Sequence, residues 1–340
     1  MRSSGQQRVL VTGATGKIGR HVVNELLARG YHVRALTSRS VTGARADDRL
    51  EWRQLDFQES LDFDVLVREC AAVLHLGAEL SVIERMRRSN VEATRSLAEA
   101  SERAGVKFFC YTSSVSVYGS SRRRLVSEDS PVLTADRDVR SEYWGVKELR
   151  CYGRTKLGGE LAISTAACNV EYVILRPTVV VDVQDLVRLG DWSKAKKQRA
   201  ASRHAHHIYI HDVADAVLWF MEQSLSRGQA SPGVRTFNLS EDATPTNTYG
   251  QIFKSAFETT GDRRWRVAPL PWFVEWLWEI LKSRRIILRL PFGRVLFAGN
   301  KLRDAGYEFP FGMPRAMTIF HQELVSDSSD SVAPPTPATR

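Results

Sequence analysis

Cysteine is scarce, with four residues (Cys70, Cys110, Cys151 and Cys168) in a chain of 340. Their spacing fits no metal-binding pattern, and so few cannot build a disulfide framework in a chain of this size. No apolar run reaches the roughly 20 residues that a membrane-spanning helix needs. The opening Met-Arg-Ser-Ser-Gly-Gln-Gln lacks the apolar centre of a secretory leader. These absences predict a cytoplasmic protein held together by its apolar core and carrying no metal. Acidic residues are also in deficit, 39 against 48 Lys and Arg, for a net charge of +9. The excess is scattered through short clusters, Arg122–Arg124, Lys194–Arg203 and Lys282–Arg285. A solvated basic surface therefore fits better than a nucleic-acid platform.

What the chain does have is an ordered alternation of short apolar runs and helical patterns. Arg8–Thr12 reads as a buried strand, followed by Gly13-Ala14-Thr15-Gly16-Lys17-Ile18-Gly19 and a helical stretch from Arg20 to Arg29 closed by Gly30. A glycine-rich turn between strand and helix is the setting for a dinucleotide. There Gly13 permits the tight turn, Gly16 admits a diphosphate to the backbone, and Gly19 lets helix and strand pack closely. The helix amides would face the phosphates. Further strands are predicted at 31–36, 51–55, 72–76, 107–112, 171–175 and 235–239, with helices at 90–104 and 150–166. Strands alternating with helices imply an α/β, Rossmann-type doubly wound parallel sheet.

The second strand ends in Thr37-Ser38-Arg39, without the acid that would hold the ribose hydroxyls of NAD. Arg39, helped by Ser38, Arg20 or Lys17, instead suits a 2′-phosphate, so NADP is preferred and NAD is the alternative cofactor. Asp56-Phe57, at the end of the third strand, is placed to border an adenine, although Asp56 also suits a turn cap. His75, inside an apolar strand, reads as a core histidine. His204, His206, His207 and His211 lie on a predicted strand and a helix start without a matching carboxylate or cysteine set. They read as structural polar residues.

Tyr152 and Lys156 stand four apart in the helical stretch and so share a face. An unperturbed phenol has a pKa of roughly 10; a neighbouring ammonium favours its ionised form and makes it a general acid/base. Ser114 lies at the carboxyl end of the fifth strand, where open α/β sheets bind ligands. Tyr143 and Lys147 form a second pair with the same spacing. The distance from Tyr152 to Arg176 suits one helix and one strand, which favours the downstream pair.

Taken in order, Thr12–Gly19, His75–Ala78, Asn90–Thr94, Ser113–Gly119, Tyr152–Glu160, Leu175–Pro177 and Ile210–Ala216 resemble an extended short-chain dehydrogenase/reductase of the NAD-dependent epimerase/dehydratase family. The resemblance runs from near the N-terminus to about residue 240. It implies a catalytic Ser114, Tyr152 and Lys156, with Lys156 also holding the nicotinamide ribose. It places Leu76, Gly77, Ala78, Pro177, Thr178 and Val179 against the cofactor, and Ser116 and Tyr118 near substrate. The dinucleotide-binding domain would span 1–182 and be completed by about 205–240. A substrate lobe would take 183–204 and 241–325, and 326–340 would be a disordered tail.

The implied activity is NAD(P)-dependent hydride transfer to or from a carbonyl or secondary alcohol. Nucleotide-sugar relatives carry Asn and Arg where this chain has Val179 and Ala205, which favours a small or moderately apolar substrate. A nucleotide-sugar epimerase or dehydratase with recycled hydride is the alternative. A cofactor-binding regulator or RNA-binding relative without turnover is an alternative of another class. The apolar, Trp-rich stretch within 272–297 reads as packing of the C-terminal lobe, with peripheral membrane contact as a lesser alternative. A homodimer is expected from the family habit.

Overall fold

Seven strands form the centre of the molecule: β1 (Arg8–Thr12), β2 (His32–Thr37), β3 (Leu50–Gln54), β4 (Cys70–His75), β5 (Phe108–Thr112), β6 (Glu171–Pro177) and β7 (Gly233–Leu239). The computed structural model describes residues 7–40, 47–133, 147–227, 231–244, 247–271, 273–274, 277, 280–281 and 289–330. Every strand pair is parallel, in the order β3-β2-β1-β4-β5-β6-β7. The order reverses direction at β1, so the crevice for a ligand opens at the carboxyl ends of β1 and β4. All ladder bonds of β1 are made within the sheet, Val9 standing opposite Val33 and Thr12 opposite both Leu36 and His75.

Alternation along each strand divides the core into two layers. On one face Val9, Val11, Val33, Val173 and Leu175 meet Val22 and Leu26 of helix α1 (Lys17–Ala28) and Val213, Val217 and Phe220 of the helix Ile210–Ser226. On the other face Leu10, Val73, Phe109, Tyr172 and Ile174 meet Leu97 and Ala98 of helix α2 (Ala93–Ala104) and Ile163 of helix α3 (Lys147–Ala166). Fully burying each such aliphatic or aromatic side chain is worth roughly 1.5–3 kcal/mol. The stretch expected to begin an ordinary helix at Asn90 is instead a π-turn, Arg88–Glu92, before α2 proper. Helix α3 comes close to this turn: a Cβ on Gly159 would stand 2.6 Å from the Asn90 carbonyl oxygen.

The C-terminal lobe has its own core, in which Trp265 is enclosed by Phe253 and Phe320 and rests on Gly190, where a Cβ would come within 2.9 Å of the indole. Two short parallel pairs join the lobe to the rest, Val179–Val181 with His207–Tyr209 and Leu125–Val126 with Leu296–Phe297. The last helix, Gly312–Asp330, runs into the segment expected to be a disordered tail; its one proline, Pro314, sits in the first turn where it is tolerated, and the next is Pro334. Of the Trp-rich stretch, Trp272, Trp276 and Trp278 lie outside the described residues, while Phe273, Leu277 and Leu281 are exposed.

Two buried carboxylates hold the start of that last helix. Asp212 accepts from Phe311 N and Gly312 N at 2.9 and 2.8 Å, and Glu241 accepts from Met313 N at 2.9 Å. Burial, with Asp212 nearby, pushes the Glu241 carboxyl up to about 7 despite the amide bond. A carboxyl whose pKa rises on folding contributes stability at low pH and loses it as pH rises through the folded value. Glu241→Gln is therefore expected to melt with wild type at pH 5 and above it at pH 8, as read by circular dichroism. A wild type more stable than the variant at pH 8 would contradict this.

Candidate active site

The turn after β1 is built for close backbone contact. Gly13 has φ +64°, and a Cβ there would lie 2.7 Å from the backbone of Gly77. A Cβ on Gly19 would sit 2.1 Å from the Gly13 carbonyl oxygen. Helix α1 begins with Gly16 as its N-cap, without a side-chain cap bond and without an acid in its first turn. Its first amides are thus open to an anion. Gly19→Ala is expected to displace the turn and abolish dinucleotide binding, measured by fluorescence titration. Retained binding would show that the turn is not the cradle.

A cavity of about 990 Å³ runs from this turn along the sheet edge. Gly13, Thr15, Gly16, Lys17, Ile18 and Gly19 line it, as do Ser38, Arg39, Asp56, Phe57, Leu76, Gly77 and Ala78. Thr15 and Thr37 share a hydroxyl bond of 2.8 Å, and Thr37 Oγ1 accepts from Arg39 N at 3.1 Å, which shapes the end of β2. The Ser38 and Arg39 side chains are exposed. Asp56 lines the cavity and also accepts from Gln58 N at 2.8 Å, as a turn cap does. Arg85, unread in the sequence, pairs with Asp56 at 3.0 Å and lines the same wall. Lys17 lines the cavity, and its ammonium donates to Val180 O at 3.1 Å and to Asp185.

At the other end Ser114, Ser116, Tyr152, Pro177, Thr178 and Val179 line the cavity. Ser114 caps the short helix Val115–Tyr118; its Oγ accepts from Ser116 N and donates to Ser116 Oγ, both at 3.1 Å. Tyr152 is half-buried on α3, which approaches that helix closely enough for a Cβ on Gly153 to meet Ser116 O at 2.6 Å. Lys156 lies behind the cavity wall, with its Nζ 4.0 Å from the Tyr111 ring centroid. Burial brings its pKa down to about 7, with Glu160 opposing the fall. Tyr143 lies outside the described residues, and Lys147 is exposed at the start of α3.

Tyr118 is a correction. It is buried away from the cavity, its hydroxyl accepting from Arg176 and donating to Asn238 Oδ1, each at 2.8 Å, and burial pushes its pKa up to about 12. It belongs to a network in which Arg176 forks onto Glu160 at 2.9 and 2.6 Å, and Glu160 also accepts from Ser113. Neither the Arg176 nor the Glu160 side chain is more than 8% exposed. One ion pair thus ties together β6, the Tyr152 helix and the residue before Ser114.

His75 is a fully buried link of another kind. The single proton of Thr94 Oγ1 goes to Asn90 O at 2.9 Å, so Thr94 must accept from His75 Nε2, also at 2.9 Å. His75 Nδ1 then accepts from Thr12 Oγ1 at 2.7 Å, and Thr12 accepts from Gly77 N at 3.1 Å. Burial, then Lys156 nearby, brings the His75 pKa down to about 3, which matches this neutral tautomer. Asn90 Nδ2 continues the chain to Thr155 Oγ1 at 3.0 Å, beside Lys156.

A third part of the cavity wall comes from the chain after β6 and from the C-terminal lobe. Arg203, His204, Ala205, His206, Tyr249 and Phe292 form it. His206 adopts φ +55°, rare for a residue with a side chain, and is held there by Asp242 at 2.7 Å and Phe292 O at 2.9 Å. His207 is buried and His211 packs edge-on against His21. Among the described residues no three His, Cys, Asp or Glu side chains converge as metal ligands.

The residues fit a dinucleotide. The glycine cradle would be filled by any Cβ, and Thr112, whose buried Oγ1 lacks a hydrogen-bond partner, is among the residues that line the same cavity. The fold is that of a doubly wound parallel sheet whose first turn suits a dinucleotide. The chain belongs to the NAD dependent epimerase/dehydratase family, whose sequence model matches residues 9–182. It is 27% identical to cinnamoyl-CoA reductase 1 of Oryza sativa subsp. japonica over 243 residues, covering 66% of this chain and 70% of that one. It is 29% identical to the UDP-glucose 4-epimerase of Lactobacillus helveticus over 181 residues, covering 50% of each chain, so the match spans half the length of that relative. The fold matches that of MoeE5, solved in complex with UDP-glucose and NAD, with a TM-score of 0.68, 21% identity and coverage of 95% and 99% of the two chains.

Proposed function

We propose that the protein reduces a ketone or aldehyde, or oxidises the matching alcohol, on a small or moderately apolar metabolite, with NADP preferred over NAD. The observation that carries this reading is the placing of Ser114 and Tyr152 on one cavity wall, with Lys156 one helical turn on. The nicotinamide, when bound, supplies or accepts the hydride. Tyr152 exchanges a proton with the substrate oxygen, and Ser114 donates a hydrogen bond to that same oxygen. Lys156, as an ammonium below pH about 7, favours ionisation of the phenol. Gly77, Thr112 and Lys156 would hold the ribose and nicotinamide side of the cofactor, and Gly13–Gly19 its diphosphate.

The test is a screen of NADPH and NADH, followed by nicotinamide absorbance, against ketones, aldehydes, alcohols and nucleotide sugars. Turnover of nucleotide sugars alone, with no net change in absorbance, would favour the second reading, a recycled hydride. Arg203 on the cavity wall, two residues before Ala205, supports that alternative because it can bind a diphosphate. For the cofactor preference, Arg39→Gln is expected to weaken NADPH binding by about tenfold and leave NADH unchanged, the worth of one charge-assisted contact. Equal effects on both cofactors in a titration would refute a 2′-phosphate role.

A further inference from the structure

Lys17 stands where the dinucleotide turn meets the substrate lobe. It opens α1, directly after the Gly16 N-cap, and lines the cavity. Its ammonium nevertheless reaches the segment that follows β6. Asp185 accepts from it, Val180 O lies at 3.1 Å and Asp182 Oδ2 at 3.9 Å. The two aspartates also form the capping box of the helix Val183–Val187, each accepting from the other's amide at 2.9 Å. Asp185 therefore keeps a role in its own helix whether or not Lys17 is there.

The ammonium has three donors on a flexible four-carbon stem, so it can change acceptors without moving the backbone. Its contact with Asp185 is only partly shielded, with side chains 34% and 30% exposed, and exposed ion pairs of this kind are weak. A diphosphate bound on the α1 amides carries more negative charge than one carboxylate, beside a helix end that favours anions. The competition for Lys17 is thus unequal.

We propose that Lys17 is a shared cation, held by Asp185 when the dinucleotide site is empty and taken over by the cofactor diphosphate when it fills. Filling the site then frees the 180–188 segment of the substrate lobe. The inference rests on the dinucleotide reading of the turn, and on neither Tyr152 nor the choice of substrate.

Calorimetric titration at low salt tests it, with ADP-ribose as the diphosphate probe and adenosine 2′-monophosphate as the control. Lys17→Met is expected to weaken ADP-ribose by about tenfold and leave the control unchanged, while Lys17→Arg retains binding. Asp185→Asn, which keeps an acceptor for the Asp182 amide, is expected to tighten ADP-ribose several-fold. The double variant should bind as Lys17→Met does, because the tightening acts only through Lys17. Unchanged or weaker ADP-ribose binding by Asp185→Asn overturns the shared cation, as does an equal loss of both probes in Lys17→Met. A wild type that binds neither probe overturns the dinucleotide reading itself and this inference with it. Thermal melts of each variant separate these outcomes from misfolding.

Discussion

Tyr152→Phe is expected to lower turnover by about 10²–10⁴-fold, the range for loss of a general acid/base, and to leave dinucleotide affinity intact. The substitution removes one hydroxyl and keeps the ring, so the packing of α3 against Ser116 and Leu133 survives. Cofactor contacts proposed for the glycine turn, Gly77 and Pro177 lie elsewhere along the cavity and are untouched. A fall in kcat with unchanged cofactor binding therefore isolates proton transfer from site assembly. An unchanged rate, together with an inactive Tyr143→Phe, would move the chemistry to the upstream pair. The exposed position of Lys147 argues against that outcome.

Arg176→Met should destabilise the fold by about 3–5 kcal/mol, the usual cost of removing one member of a buried ion pair. The loss is large because it strands the Glu160 carboxylate, nearly inaccessible to water, with Ser113 as its remaining buried side-chain donor. It also leaves the Tyr118 hydroxyl without the guanidinium that donates to it. Combining it with Glu160→Leu removes the stranded charge, so the double variant should be more stable than Arg176→Met alone. Urea midpoints read this directly. If the double variant is less stable than both singles, the pair contributes by packing rather than by compensating charge.

The glycine turn, the strand alternation and the helix that carries Tyr152 and Lys156 were legible because each is carried by local sequence. Gly13 needs a positive φ, Val9 and Val11 share a face through their spacing, and Tyr152 and Lys156 share a face through helical period. What escaped depends on side chains meeting across long separations. Tyr118 sits in a motif that suggests substrate contact, yet Asn238, 120 residues away, draws its hydroxyl into the core. Lys17 reads as a phosphate ligand from its place in the turn, and nothing local announces its partner Asp185, 168 residues on. Arg203 and His206 reach the cavity only because the chain after β6 folds back over it, with His206 in a backbone state that no local pattern announces.

The outermost strand of the sheet has a practical consequence. Residues 9–182, the stretch matched by the family model, end before Gly233–Leu239, which pairs with every residue from Glu171 to Pro177. Severed at that point, the N-terminal half would carry a raw, fully apolar border along Tyr172–Leu175, inviting edge-to-edge association with its own copies. Such a fragment is expected to precipitate on expression, so the cofactor-binding half cannot be borrowed as a free-standing module without a graft of that seventh strand.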